Sequence, residues 1–320
     1  LPERFREKWF SISLREPLLG GENMTALVLR LGYVALNVTD MTAAARDAEN
    51  IAGVRVVEKT ATRMLMTSNQ RHAELIFYKS DKNTVRCIGL EANNAECVAE
   101  VARRALDRGL HILSETPSLD AISHSVTFVT SEGHIFEVHT PMLCNQPIRY
   151  LCGGIHPRYI DHVNLTAENP KLIIEELVEV LGMKLSERSA GYEINWLRAG
   201  DHRHHTIGMV KGAPGLHHYS WEFADFADFK RLGDMLDADD RSLVWGPGRH
   251  GAGDNLFAYY LDSAGFLVEC TAEMELIQHN EEPRIVDVGE NLSNPKVVNR
   301  WGTLPPQMWI DHHSPFTEVR

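Results

Sequence analysis

The chain has 320 residues, 43% hydrophobic and 24% charged, which is room for two globular domains of ordinary size. Its formal net charge of −12 argues against a nucleic-acid or anionic-membrane partner, because either would select a basic surface. No apolar run approaches the length of a membrane span. The apolar stretch from Met24 to Leu36 is broken by Arg30, and no signal-peptide cleavage pattern follows it.

The cysteines are Cys87, Cys97, Cys144, Cys152 and Cys270. Their number is odd and no pair has C-x-x-C spacing. Reduced thiols in a cytoplasmic protein are expected, rather than a disulfide frame or a structural zinc site. Histidine is abundant, with 16 residues, which hints at a metal or at acid–base chemistry.

In chain order, residues 1–23 show no period and read as an extension, with the ordered fold starting near Met24. Alternating apolar positions predict a strand from Leu27 to Val38. Thr39-Asp40 then caps a helix over Met41 to Ile51, and Gly53 stops it. Strands follow at Val54 to Thr60, Arg63 to Ser68 and Glu74 to Lys79. The pattern restarts with a strand at Val85 to Glu91, a helix at Asn94 to Arg108, and strands at Ser125 to Thr130 and Gly133 to Thr140. An aperiodic linker runs from Pro141 to Arg158. A third unit has a strand from Tyr159, a helix started by Glu168-Asn169-Pro170 and running to about Leu181, closed by Gly182, and strands at Lys184 to Ser189, Glu193 to Ala199 and Thr206 to Lys211. A fourth opens with Leu216 to Phe223, and its helix spans Asp225 to Leu236. It continues as a Gly/Pro-rich loop from Trp245, a strand, a tight turn over Asp262 to Gly265, and a strand ending near Glu269. The residues from Ile285 onward read as a packed tail.

This is one strand–helix–strand–strand–strand unit written four times. The fold expected is α+β, with four βαβββ modules paired into two domains, 24–150 and 151–320. The clearest internal match sets Ser131-Glu132-Gly133-His134-Ile135-Phe136-Glu137 against Ser263-Ala264-Gly265-Phe266-Leu267-Val268-Glu269. Unit openings match too: Gly32-Tyr33-Val34 with Asp161-His162-Val163, and Cys87-Ile88-Gly89 with His218-Tyr219-Ser220.

On that alignment the second half presents His162, His218 and Glu269, where the first presents Tyr33, Cys87 and Glu137. All lie in strands, so each side chain has one defined face. Two neutral imidazoles and one carboxylate holding a metal on one face, with the other face open, suit Fe(II) and oxygen chemistry. With one carboxylate the centre keeps a net positive charge and attracts an anionic chelating ligand. Glu269 follows Phe266-Leu267-Val268, so burial is expected, and an unpaired buried carboxylate is costly. The competing reading of each His is a structural hydrogen-bonded residue. Between His217 and His218, repeat register and strand alternation turn His218 inward and His217 outward. The first half is expected to bind no metal and to serve as a structural or oligomerisation copy.

Asp161-His162-Val163-Asn164-Leu165, Leu216-His217-His218, Gly246-Pro247-Gly248-Arg249-His250-Gly251 and the run from Tyr259 to Glu269 together resemble the type I extradiol ring-cleavage dioxygenases of the vicinal-oxygen-chelate superfamily. The resemblance covers about Met24 to Leu276. It implies a glyoxalase-like fold with Fe(II), or Mn(II), held by His162, His218 and Glu269. It implies that His205, chosen over His204 by its spacing to Gly208, is an acid–base residue beside the metal. His250 and Tyr259 become groups that hydrogen-bond the substrate, and Asn164 lies near the oxygen site. Trp196 and Trp245 are candidates for walls of an aromatic pocket, or else core residues. The implied reaction joins a small aromatic diol with O2 to give a hydroxymuconic semialdehyde, in a homotetramer. A relative acting on a carboxylated ring carries Arg before Gly-Pro-Gly. Trp245 in that place favours an uncharged ring, unless another cation, such as Arg300, reaches the pocket. The rival readings are a non-oxidative isomerase or lyase of the same superfamily and a ligand-sequestering protein.

Overall fold

The computed structural model describes residues 26–147, 153–278 and 281–319. The extension 1–23, Met24 and Cys152 lie outside the described residues. The first half contains β1 (Val28–Val38), α1 (Met41–Asp47), β2 (Arg55–Lys59), β3 (Arg63–Thr67), β4 (Leu75–Lys79), β5 (Thr84–Ala92), α2 (Ala95–Asp107), β6 (His111–Ser114), β7 (Ser125–Val129) and β8 (Ile135–His139). The second contains β9 (Tyr159–Ala167), α3 (Pro170–Leu181), β10 (Lys184–Ser189), β11 (Ile194–Arg198), β12 (Ile207–Lys211), β13 (Gly215–Glu222), α4 (Phe226–Ala238), β14 (Trp245–Arg249), β15 (Leu256–Leu261) and β16 (Leu267–Ala272). The tail adds β17 (Arg284–Val286), α5 (Pro295–Val298) and α6 (Gln307–Ile310).

Each half forms one mixed sheet. The orders are β2-β3-β4-β1-β5-β8-β7-β6 and β14-β15-β16-β13-β9-β12-β11-β10-β17. Each sheet is therefore two βαβββ modules joined through antiparallel first strands, β1 with β5 and β9 with β13. The fold is the α+β arrangement read from the repeats.

Local chemistry fixes the helix ends. Asp40, Asn94, Asn169 and Asp225 each accept backbone N–H bonds at a helix start. Pro170 fills the first turn of α3, and Gly182 closes it in the left-handed conformation at φ 68°. A 12-residue helix is marginal alone. Here α3 buries Ile173, Ile174, Leu177, Val180 and Leu181, at about 1.5–3 kcal/mol each, and that packing holds it.

Strand alternation divides the interior. Val34, Leu36 and Val38 of β1 and Val163, Leu165 and Ala167 of β9 enter one core on the helix side of both sheets. Tyr33 and Ala35 face a smaller cluster on the other side of the first sheet. In the second sheet the same parity sends His162 and Asn164, and Glu269 of β16, away from the core.

Three local expectations change. The helix expected over Met41 to Ile51 is α-helical only to Asp47 and widens into a π turn over Ala48–Ala52. The segment from Trp245 is not a loop but the edge strand β14. Gly246 at φ 98° and the cis Gly246–Pro247 bond make an irregularity against β15, and an edge position tolerates the missing proline donor. Finally, β6 gives no apolar alternation because it is a short, largely exposed edge strand.

The tail packs as expected, but over both halves. β17 pairs with β10, Trp309 joins the cluster around Trp245, and Asn37 of β1 donates to Thr317 Oγ1 at 2.8 Å.

Candidate metal centre

His162 comes from β9, His218 from β13 and Glu269 from β16, three neighbouring strands of the second sheet. Their ligand-type atoms lie within 4.8 Å of one another, and all three residues are buried. Glu269 Oε2 is 2.9 Å from His162 Nε2 and 2.9 Å from His218 Nε2.

The hydrogen bonds behind the ligands fix their tautomers. Asp161 Oδ2 can only accept, so His162 donates to it from Nδ1 at 2.7 Å, which turns Nε2 toward Glu269 Oε2 to carry either a second proton or a metal. Asp161 is itself held by Arg203, Nε to Oδ1 at 2.6 Å. Behind the second ligand, His217 Nε2–H donates to Trp309 O at 2.7 Å. Its Nδ1 then accepts from His218 Nδ1–H at 2.6 Å, so His218 Nε2 is bare. Two imidazole Nε2 atoms and a carboxylate oxygen thus converge on one buried point. A divalent cation satisfies all three, so the donor set fits the implied metal.

The electrostatics agree. Burial opposes charge on Glu269, yet the two imidazoles hold its carboxyl far below the usual range. Burial likewise works against charge on His162, but Glu269 and Asp161 raise it to about 9. The cluster demands positive charge at its centre. His218 has its pKa lowered by burial and so favours the neutral ligand form.

His217 corrects an expectation. It does not turn outward to solvent; it is buried at 1% exposure beside His218. A register shift between Leu216 and His218 adds one residue to β13, which breaks the alternation and brings both imidazoles to one side.

The other sequence candidates line the same cavity as the three ligands: His205, His250, Tyr259, Asn164, Trp196 and Trp245. His205 packs on His162 with ring centroids 4.3 Å apart. Burial, with the neighbouring imidazoles, drives its pKa well below the ordinary value. His250 is not a surface loop residue. It donates from Nδ1 to Val298 O at 2.6 Å, and its Nε2 faces the Tyr259 hydroxyl at 3.1 Å. Burial lowers its pKa to about 4, and burial next to Glu269 raises that of Tyr259 well above 10. Asn164 sits across from Gly208, where a Cβ would come within 2.8 Å of Asn164 Oδ1. Trp245 stacks on Tyr259 at 5.6 Å and 9°, while its Nε1 is tied to Thr303 O at 2.8 Å.

Residues 159–270 match the model of the Glyoxalase/Bleomycin resistance protein/Dioxygenase superfamily. The match covers the part of the chain that carries the candidate metal centre. Among curated relatives, a manganese-dependent 2,3-dihydroxybiphenyl 1,2-dioxygenase of Geobacillus genomosp. 3 is 25% identical over 75% of this chain and 83% of its own. Metapyrocatechase 2 of Cupriavidus necator is 30% identical over 48% of this chain and 47% of its own. Homoprotocatechuate 2,3-dioxygenase of Arthrobacter globiformis shares the fold at TM-score 0.83 and 19% identity, over 92% of this chain and 94% of its own. So does a Mn(II)-bound glyoxalase of Novosphingobium aromaticivorans, at TM-score 0.80 and 24% identity over 91% and 96%.

Several residues of this site escaped the sequence reading. Asn255 donates to Glu269 Oε1 at 3.3 Å and to Thr271 Oγ1 at 2.9 Å. Val288, Leu292, Val297, Val298 and Trp309 of the tail close the cavity. The tail has no period to flag them. The adjacent pairs His204-His205 and His217-His218 were visible, and the doubling itself was the missed signal.

Proposed function

We propose that this protein is an extradiol ring-cleaving dioxygenase that opens a catechol-type ring beside its two hydroxyls, with O2 as co-substrate and Fe(II) as its metal. The observation that carries the reading is the convergence of His162, His218 and Glu269 in a cavity that also holds His205, His250 and Tyr259. A bound Fe(II) would supply adjacent coordination positions for the diol and for O2, and a path for electrons between them.

The chain's own residues do the rest. His205 is neutral and within the cavity, so it can take a hydroxyl proton from the diol and return it later. Tyr259 and His250 form a hydrogen-bonded pair on the Glu269 side and orient the substrate oxygens. Among the described residues Asn164 Oδ1 has no hydrogen-bond partner, and it offers an acceptor in the cavity. Ile194, Trp196, Trp245 and Leu292 exclude water and pack on a ring. Among the described residues no Lys or Arg lines the cavity. Arg300 is paired with Asp254 at 2.8 Å instead. The substrate is therefore an uncharged catechol, bare or bearing alkyl or halogen groups.

A non-oxidative isomerase of the same superfamily is the second reading, prompted by the glyoxalase of like fold. Mn(II) fits the same donors and is the alternative metal. We place the enzyme in the cytoplasm as a homotetramer, on the resemblance.

The test is to purify the protein without oxygen, load it with Fe(II), and add catechol in air. One O2 should be consumed per yellow semialdehyde formed. Iron bound in full, with catechol, methylcatechols and chlorocatechols all inert, would refute the assignment.

A further inference from the structure

His205 does not stand alone. His204 Nε2 lies 3.1 Å from Glu187 Oε2, and His204 Nδ1 lies 3.0 Å from His205 Nδ1. Arg284 of β17 closes the row, its Nη2 3.0 Å from Glu187 Oε2 and 2.7 Å from Glu275 Oε2. His204 is fully buried, its backbone N–H held by Glu275 O at 2.8 Å. Gly253, at φ 75°, lies against it; a Cβ there would come within 2.9 Å of His204 Nδ1.

The order of protons along this row follows from chemistry. A carboxylate only accepts, so His204 carries its proton on Nε2. A second proton on His204 is disfavoured, because Arg284 already offsets the Glu187 charge and the ring is sealed from water. His204 Nδ1 is then a bare acceptor, and only an N–H can face it. We propose that Glu187 and His204 are positioning residues that hold His205 in the Nδ1–H form, leaving its Nε2 as a lone pair for the substrate. The second doublet repeats the device. His217, anchored on Trp309 O, sets His218 in the same form for the metal. One wiring scheme thus serves an acid–base residue and a ligand. The alternative Nε2–H form of His205 would present a donor to the substrate hydroxyl and could not accept its proton.

The structural part of this inference stands on hydrogen bonds alone; its kinetic part rests on the ring-cleavage reading. The test uses the full-length protein with 15N-labelled histidine, loaded with diamagnetic Zn(II). Long-range 1H–15N spectra report which ring nitrogen is protonated, and the His205→Gln variant identifies the His205 signals. His205 should show protonated Nδ1 and bare Nε2. In His204→Phe the proton should move to Nε2. With Fe(II) and catechol, kcat should then fall about ten- to a hundredfold while KM changes little. His204→Asn places an amide oxygen near the lost Nδ1 and should restore both readouts. An Nε2–H form in the parent protein, or an unchanged tautomer in His204→Phe, would overturn the inference. Should that variant not fold, the parent spectrum and Glu187→Leu decide the same question. The expected tautomers without catechol turnover would support the wiring and refute the ring-cleavage reading.

Discussion

The two halves of the molecule share one architecture, and their registers agree residue for residue. Ala35 pairs with Cys87 as Asn164 pairs with His218, and Gly89 pairs with Glu137 as Ser220 pairs with Glu269. Tyr33, Cys87 and Glu137 therefore occupy the places of His162, His218 and Glu269. They also touch one another. Tyr33 donates to Glu137 Oε2 at 2.6 Å, and its hydroxyl is 3.7 Å from Cys87 Sγ. The difference lies in how each carboxylate is satisfied. Glu137 accepts hydrogen bonds from the Tyr33 hydroxyl and from Ser118 N–H at 3.1 Å. Glu269 instead faces two imidazole Nε2 atoms, and positive charge between them, a proton on His162 or a shared metal, is what satisfies it. Burial pushes the Cys87 thiol up to about 12, so it offers no thiolate. The bulky phenol also reshapes its surroundings: a Cβ at Gly89 would fall 2.3 Å from the Tyr33 ring, and the matching residue is Ser220. The same scaffold carries a candidate metal site or a hydrogen-bonded plug, according to which groups surround one acid.

The strongest way to break this comparison is to neutralise each acid in turn. Glu269→Gln should lose metal and reduce ring cleavage on the order of a thousandfold, the rate equivalent of several kcal/mol. Glu137→Gln should leave metal content and turnover near the parent values. Equal losses from both would end the assignment of one active half. Metal content by elemental analysis and O2 uptake read both outcomes.

The groups behind the ligands sharpen it next. Asp161→Asn and His217→Phe each remove a partner that fixes a ligand's tautomer. Metal affinity should fall about ten- to a hundredfold in each, measured by competition with a chelator. The first half has Gly32 and Arg86 at these two places. Converting Tyr33→His and Cys87→His together should therefore create only a weak second site. Titration should show a second divalent ion bound at least about tenfold less tightly than the first. Two sites of equal strength would mean that the backing groups matter little.

How much of this was legible in the sequence depends on the range of the interaction. Alternation in β9 and β16 placed His162 and Glu269 correctly, because a strand's period is local. Asp40, Asn169 and Gly182 announced helix ends for the same reason. His217 was misread because a bulge suspends the period, and no single sequence marks where a bulge falls. β14 was hidden by Gly246 and Pro247, which read as loop although edge pairing accepts them. The tail residues that close the cavity gain their role only from tertiary contact.

The smallest expected effect concerns the plug itself. Tyr33→Phe removes the hydroxyl that donates to Glu137 Oε2 and leaves the ring's packing in place. One acceptor of a carboxylate at 1% exposure then loses its partner. Stability should drop by about 1–3 kcal/mol, the cost of an unsatisfied buried polar group. Ser118 N–H still serves Oε1, which argues for the lower part of that range. Urea unfolding of the metal-free protein reads the loss, and Cys87→Ser serves as a control that keeps the hydroxyl contact. If Tyr33→Phe were instead neutral and the protein bound extra metal, Glu137 would already be free to act as a ligand. The two halves would then differ in their histidines alone.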